Sequence, residues 1–185
     1  MRFPHQLEFH EVTPDRWPDF ERLFEARGGP KSCWCMVFRS PGGASTTSTA
    51  RKAAMNQRVA AGTPVGILGY LQGEPIAWCS VAPKATFQRL GDVEGDAAEP
   101  DRVWSITCFF VPRQYRGLGV TAQLIKAAVA HAKAHGARVV EAYPVAPGSP
   151  SYRFMGFVPA FERQRFKEVG RVGTRRHIYQ RHLRR

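Results

Sequence analysis

Phe109-Phe-Val-Pro-Arg-Gln-Tyr-Arg-Gly-Leu-Gly-Val120 is the most informative stretch of this 185-residue chain. It joins an apolar run, residues 103–111, to a helical run, residues 121–135. The first is too apolar to face water on either side and therefore belongs inside a sheet. The second repeats Leu124, Ile125, Ala128 and Val129 on one face, with Gly136 placed to end it. Between them, Gly117 and Gly119 let the chain turn tightly and gather backbone N–H groups at a helix N-terminus. Orphan amides and the helix dipole make such a place an anion site, and Arg113 and Arg116 add cationic reach. A pyrophosphate is the natural occupant. The stretch lacks the Gly-Lys-Ser/Thr ending of a Walker loop, and its glycine spacing is not that of a dinucleotide fingerprint.

On the N-terminal side, residues 7–12 alternate weakly and read as a strand. Thr13-Pro14 opens a helix carrying Trp17, Phe20, Leu23 and Phe24, which Gly28-Gly29-Pro30 stops. Residues 32–38 form a short apolar run expected to be buried and extended, and residues 45–61 a second helix. Residues 65–71 and 75–81 read as a hairpin across Gln72-Gly-Glu74, and an acidic loop follows with Asp92, Glu94, Asp96, Glu99 and Asp101. On the C-terminal side, residues 139–143 form a strand beside the central one. Residues 151–155 allow at most a short helix, and residues 157–166 and 175–182 suggest a closing hairpin. The order is mixed α/β, without a repeat or linker, so residues 1–185 read as one domain.

Composition sets the boundaries. Hydrophobic residues are 43% and charged residues 23%, ordinary for a globular protein. No stretch approaches the ~20 apolar residues of a membrane span, and the N-terminus lacks the pattern of a secretion signal. A soluble, cytoplasmic protein is expected, as a monomer or homodimer. Cys33 and Cys35 lack zinc-knuckle or thioredoxin spacing, and Cys79 and Cys108 lie in apolar runs, so reduced, packed thiols and no metal site are expected. The net charge of +12 is uneven: residues 113–138 carry five Arg or Lys and no acid, and residues 161–185 carry nine against two Glu. That surface attracts polyanions, RNA among them, or is simply a solvated exterior.

Gln114-Tyr-Arg-Gly117-Leu-Gly119 fits Q-x-x-G-x-G, the acetyl-CoA signature of the GNAT superfamily of N-acetyltransferases. Tyr152-Arg-Phe-Met-Gly156-Phe157 resembles the Tyr-x-x-x-Gly-Phe segment that closes the acetyl-CoA site there. The chain also resembles a bacterial GNAT subgroup through Trp34-Cys35-Met36, Trp78-Cys-Ser-Val81-Ala-Pro83 and Tyr143-Pro144. The resemblance covers roughly residues 64–166. It implies a GNAT-type, mostly antiparallel central sheet flanked by helices, with acetyl-CoA or another acyl-CoA as co-substrate. Phe109, Phe110, Val111, Arg113, Gln114, Tyr115, Arg116, Gly117, Leu118, Gly119, Val120 and Thr121 become the cofactor-binding segment. Thr121 stands where relatives often have Gly or Ala; Ser149 or Ser151 stands where many have an Asn that positions the acceptor or cofactor, and Ser151 is counted with the cofactor-binding residues.

The implied chemistry is direct attack of an amine on the thioester. A backbone N–H from residues 108–111 would serve as oxyanion donor, and Tyr152 as general acid or as a packing residue. The central strand carries no carboxylate or histidine, which leaves Glu141 as candidate base or as one half of a buried ion pair. Cys108 is a packed thiol in preference to an acyl-accepting nucleophile. Trp34 and Trp78, with Trp104, are candidates for the acceptor wall or for the core. The expected acceptor is a small-molecule amine. The alternatives are an aminoacyl-tRNA held by the basic C-terminal surface, or a non-catalytic acetyl-CoA-binding module.

Overall fold

A computed structural model describes residues 7–39, 47–93 and 102–184. Among the described residues, seven strands form one sheet in the order β1-β2-β3-β4-β5-β7-β6. They are β1 (Glu8–Glu11), β2 (Ile67–Leu71), β3 (Glu74–Pro83), β4 (Val103–Phe110), β5 (Val139–Ala142), β6 (Lys167–Val172) and β7 (Arg176–His182). Only β4 and β5 pair in parallel; every other pair is antiparallel. The apolar run at residues 103–111 does occupy the middle of the sheet.

Side-chain alternation divides the core into two layers. Leu68 and Trp78 face α1 (Trp17–Glu25) and α2 (Ser48–Ala60), packing with Phe20, Phe24, Met55 and Val59. Ile67, Ala77, Cys79 and Ile106 face the other way, onto Leu124, Ile125 and Ala128 of α3 (Val120–Ala134) and Phe161 of α4 (Val158–Glu162). Phe20 and Leu124 are wholly buried, and burial of each contributes about 1.5–3 kcal/mol. A third cluster, including Phe38, Phe87, Tyr143 and Ile178, closes the sheet near β5 and β7.

Two sequence-based expectations are corrected. Residues 32–38 are buried in part but not extended: successive turns run from Pro30, whose carbonyl accepts from the N–H groups of Cys33 and Trp34 at 3.2 and 3.1 Å. Trp34 and Cys35 adopt left-handed φ values of 46° and 52°. An apolar run can satisfy its amides inside turns as well as in a ladder. Residues 157–166 form α4 and a turn, not a strand, because Pro159 is suited to the first turn of a helix and Phe161 anchors that turn in the core. The closing hairpin is therefore β6 with β7. The start of the helix expected at 45–61 and most of the acidic loop lie outside the described residues. No helix among the described residues is long and apolar enough to cross a membrane.

The sheet is irregular at its centre. The β3–β4 register shifts between Ser80 and Val81, while the β4–β5 ladder ends at the pair Ile106–Ala142. A bulge bends and twists the strand that carries it. The buried hydroxyls of Ser80 and Thr107 share a 2.7 Å hydrogen bond at this bend. Beyond it β4 keeps β3 as partner, and the chain after β5 turns away so that Val145 bridges Phe157. A cleft opens along the part of β4 that lies beyond its pairing with β5.

Candidate active-site cleft

The turn after β4 is built from local rules. Residues Arg113–Tyr115 make a single 3-10 turn, and Arg116 folds back so that its Nε donates to the Val111 carbonyl at 2.8 Å. Gly117 and Gly119 have φ values of 75° and 84°, in the left-handed region that disfavours a side chain. Gly119 is the N-cap of α3, and its carbonyl accepts from Gln123 N–H at 3.3 Å. The amides at the first positions of α3 therefore lack intrahelical acceptors. A Cβ added at Gly117 or Gly119 would meet no atom within 4 Å. Both glycines serve backbone conformation and leave open space before the helix end.

That space belongs to a cleft of about 970 Å³. Its floor is residues 107–111 of β4 and the residue after it, and one end is the 115–122 turn. The far wall holds Arg153, Phe154, Gly156, Phe157, Ala160 and Arg163, and the other end holds Cys33, Cys35, Val37 and Phe38. Gly156, at φ 88°, is required by close packing, since a Cβ there would lie 2.9 Å from the Phe161 ring and 3.1 Å from the Phe109 ring. Arg116, Arg153 and Arg163 make the cleft cationic, and no Asp, Glu or His lies among the described lining residues. One continuous cavity thus links a helix N-terminus to the part of β4 that has separated from β5.

A family model for the Acetyltransferase (GNAT) family matches residues 10–157. The chain belongs to the GNAT acetyltransferase family. No curated protein matches it. Among solved structures, the GNAT fold is shared with an acetyltransferase from Thermus thermophilus at 17% identity and a TM-score of 0.60, covering 97% of this chain and 98% of that one. An N-acetyltransferase from Staphylococcus aureus is 13% identical with a TM-score of 0.59, over 97% and 100% of the two chains. AAC(6')-Ib in complex with ribostamycin and coenzyme A is 17% identical with a TM-score of 0.60, over 96% and 94%.

Within this GNAT chain the cofactor-binding residues inferred from sequence fall into two groups. Phe109, Phe110, Val111, Tyr115, Arg116, Gly117, Gly119, Val120 and Thr121 line the cleft. Arg113, Gln114 and Leu118 belong to the same turn but are not among its lining residues. Ser151 accepts a 2.9 Å hydrogen bond from Arg175, and the Ser149 hydroxyl donates to the Ser151 carbonyl.

The catalytic and acceptor candidates lie elsewhere. Glu141 is fully buried on β5, accepting from the Tyr143 hydroxyl at 2.5 Å and Gln180 Nε2 at 2.7 Å, with Lys84 Nζ at 2.8 Å. Burial, with the Glu141 carboxylate close by, holds the Tyr143 phenol protonated well above its usual range. Tyr152 has a left-handed φ of 57°, and its ring lies 5.2 Å from the Arg176 guanidinium, beside a smaller pocket with Gly173 and Thr174. Trp34 and Trp78 are core residues: Trp34 stacks on Phe24 and donates to Ser48 Oγ, and Trp78 donates to Cys35 Sγ at 3.0 Å.

The thiol-rich end of the cleft has no counterpart in the sequence-based expectations. Cys33, Cys35 and Cys108 all line the cleft, with Cys35 Sγ 3.3 Å from Cys108 Sγ. Hydrogen bonding to Cys35, then burial, raises the Cys33 thiol far above its ordinary range, and burial raises Cys35 likewise. Both are neutral thiols at physiological pH. Buried Arg39 braces their turn, donating to the carbonyls of Cys35 and Val65 at 2.8 and 2.6 Å. A lone arginine after an apolar run gives no sequence signal for that role.

Proposed function

We propose that the cleft binds acyl-CoA and transfers its acyl group to the amine of a small molecule by direct attack. The observation that carries this reading is the continuity of the cavity from the Gly117–Gly119 turn to the separated part of β4. The pyrophosphate lies on the free amides at the start of α3, with Arg116 and Arg163 as nearby cations. The thioester arm follows residues 107–111, where a strand amide facing the cleft polarises the carbonyl oxygen. Holding amine and thioester together supplies most of the acceleration; well-oriented intramolecular reactions gain up to ~7–11 kcal/mol this way.

Protons are handled sparsely. The described lining offers no carboxylate or imidazole, so the acceptor ammonium loses its proton to water, and the attacking species is the neutral amine. Glu141 acts as a structural anion joining β5, β7 and Lys84. Tyr152 protonates the departing thiolate after its ring leaves Arg176 and turns toward the cleft. Phe154, two residues on, already lines it.

The acceptor end is apolar, with Cys35, Val37, Phe38 and Phe110, and the charged lining residues are arginines. That favours an amine on an apolar body over a polycation. A panel of apolar monoamines, amino-acid amides, aminoglycosides and aminoacyl-tRNAs, assayed for release of CoA thiol, tests the reading. Release with apolar monoamines is expected. Preference for an aminoglycoside would contradict the acceptor assignment. Preference for aminoacyl-tRNA would transfer it to the reading that the +12 charge favours. Tight acetyl-CoA binding without turnover on any amine would identify a binding module.

A further inference from the structure

Away from the cleft, three metal-ligating side chains meet across α3 and β1. His131 and His135 stand four residues apart, at the end of α3 and its C-cap, which places both on one face, and Glu11 reaches them from β1. One ligand atom from each lies within 4.8 Å of the other two. His135 Nε2 is 3.7 Å from a Glu11 carboxylate oxygen, too far for a hydrogen bond.

Their hydrogen bonding leaves the donor atoms available. His135 Nδ1 lies 2.9 Å from the His131 carbonyl, so Nδ1 carries a hydrogen and Nε2 is turned toward Glu11. A hydrogen bond of this kind, made by the ring nitrogen away from the ion, orients metal-ligating histidines. The Nε2 atom of His131 is buried without a hydrogen-bond partner, a demand that a bound ion or water meets. Trp104 packs against both rings, at 5.5 Å from His131 and 5.2 Å from His135. The last turn of α3 also presents the negative end of the helix dipole to a cation.

We propose that Glu11, His131 and His135 bind a zinc-like divalent transition ion, with a solvent molecule as fourth ligand. Two imidazoles and a carboxylate suit Zn²⁺ in preference to Ca²⁺ or Mg²⁺, which take oxygen ligands. Zinc bonds of about 2.0–2.2 Å place tetrahedral ligands roughly 3.4 Å apart, so the 3.7 Å pair is nearly in place, and the pairs with His131, within 4.8 Å, close onto the ion by side-chain rotation. His135 is exposed, which gives the ion an entry path and leaves room for the solvent ligand. The ion ties the edge strand β1 to α3, the helix whose other end faces the cleft.

The test uses tag-free, chelator-treated full-length protein, titrated calorimetrically with Zn²⁺ alone. One ion per chain is expected, with affinity falling at least about tenfold in both His135→Ala and Glu11→Gln. Unchanged melting temperatures of the two variants in chelator establish that their folds are intact. Titration with Co²⁺ is expected to give tetrahedral ligand-field bands without a sulfur charge-transfer band. Absence of stoichiometric Zn²⁺ binding overturns the proposal. So does binding that persists in both variants, or a Co²⁺ spectrum with thiolate charge transfer, which would assign the ion to the cysteine end of the cleft.

Discussion

Ile106 and Ala142 are the last residues at which β4 and β5 pair, and the next residue of β4, Thr107, is the extra residue of a bulge in β4 and hydrogen-bonds to Ser80 of β3. The cleft begins at this junction. One side of the sheet bends β4 while the other releases it, so the floor of the cavity is a strand with one free edge. Residues far from the helix N-terminus thereby decide how the cavity that meets it is shaped.

Glu141 lies on the closed side of the junction and has three partners. Glu141→Gln removes the charge that Lys84 and two hydrogen bonds meet, while Asp92 stays 3.5 Å from Lys84, and is expected to cost about 1–3 kcal/mol. Urea denaturation measures that loss, while turnover of the folded variant stays within about threefold. A fall in kcat of about a hundredfold or more with stability unchanged would make Glu141 the general base.

Tyr152 is expected to matter in turnover. Tyr152→Phe lowers kcat by roughly a hundredfold, the lower range for loss of a general acid, with little change in KM for acetyl-CoA. Stopped-flow detection of thiol release, under conditions where chemistry limits the rate, checks this. An unchanged rate would leave Tyr152 as a stacking partner of Arg176.

The helical and strand periodicities, and the turn between β4 and α3, were legible because they depend on neighbours within one turn or one strand. The glycines announce their own backbone geometry. The turn at Trp34 and Cys35 was not legible, because left-handed conformations there fall on bulky residues and the apolar run imitates a strand. Nor were the partners of Glu141, which come from Lys84, Tyr143 and Gln180 and meet only when β5 pairs with β7. The His131–His135 spacing is visible in the sequence, but Glu11 joins it only through the fold.

His131 makes stability pH-dependent. With its folded pKa lowered to about 4 from 6.5, the native state holds fewer protons than the unfolded state between those values. Stability therefore rises with pH across that window and is lost as pH falls through it. Urea midpoints measured in chelator at about pH 4.5, 5.5 and 6.5 should rise less steeply for His131→Phe than for wild type. Parallel profiles would show that His131 titrates normally.

The basic C-terminus is partly structural. Arg176 lies over the rings of Phe38 and Tyr152 and donates to the Leu90 carbonyl, whereas Arg184 is exposed. Arg176→Gln is expected to cost about 1–2 kcal/mol in thermal denaturation through lost packing and cation–π contact, and Arg184→Gln to be neutral. If RNA binds this surface, wild-type affinity falls steeply with salt and Arg184→Gln shallows the slope. Absence of RNA affinity at low salt removes the tRNA reading.

Cofactor placement at the start of α3 is tested most directly by calorimetric titration of acetyl-CoA into wild type and Gly117→Asp. Gly117 adopts a left-handed φ beside free helix amides, and open space surrounds the place its side chain would occupy. A carboxylate there meets the pyrophosphate with like charge, so wild type should bind one acetyl-CoA and the variant should lose binding by at least about a hundredfold while its circular dichroism is retained. Equal affinity in the two folded proteins would contradict the placement of the cofactor at the start of α3.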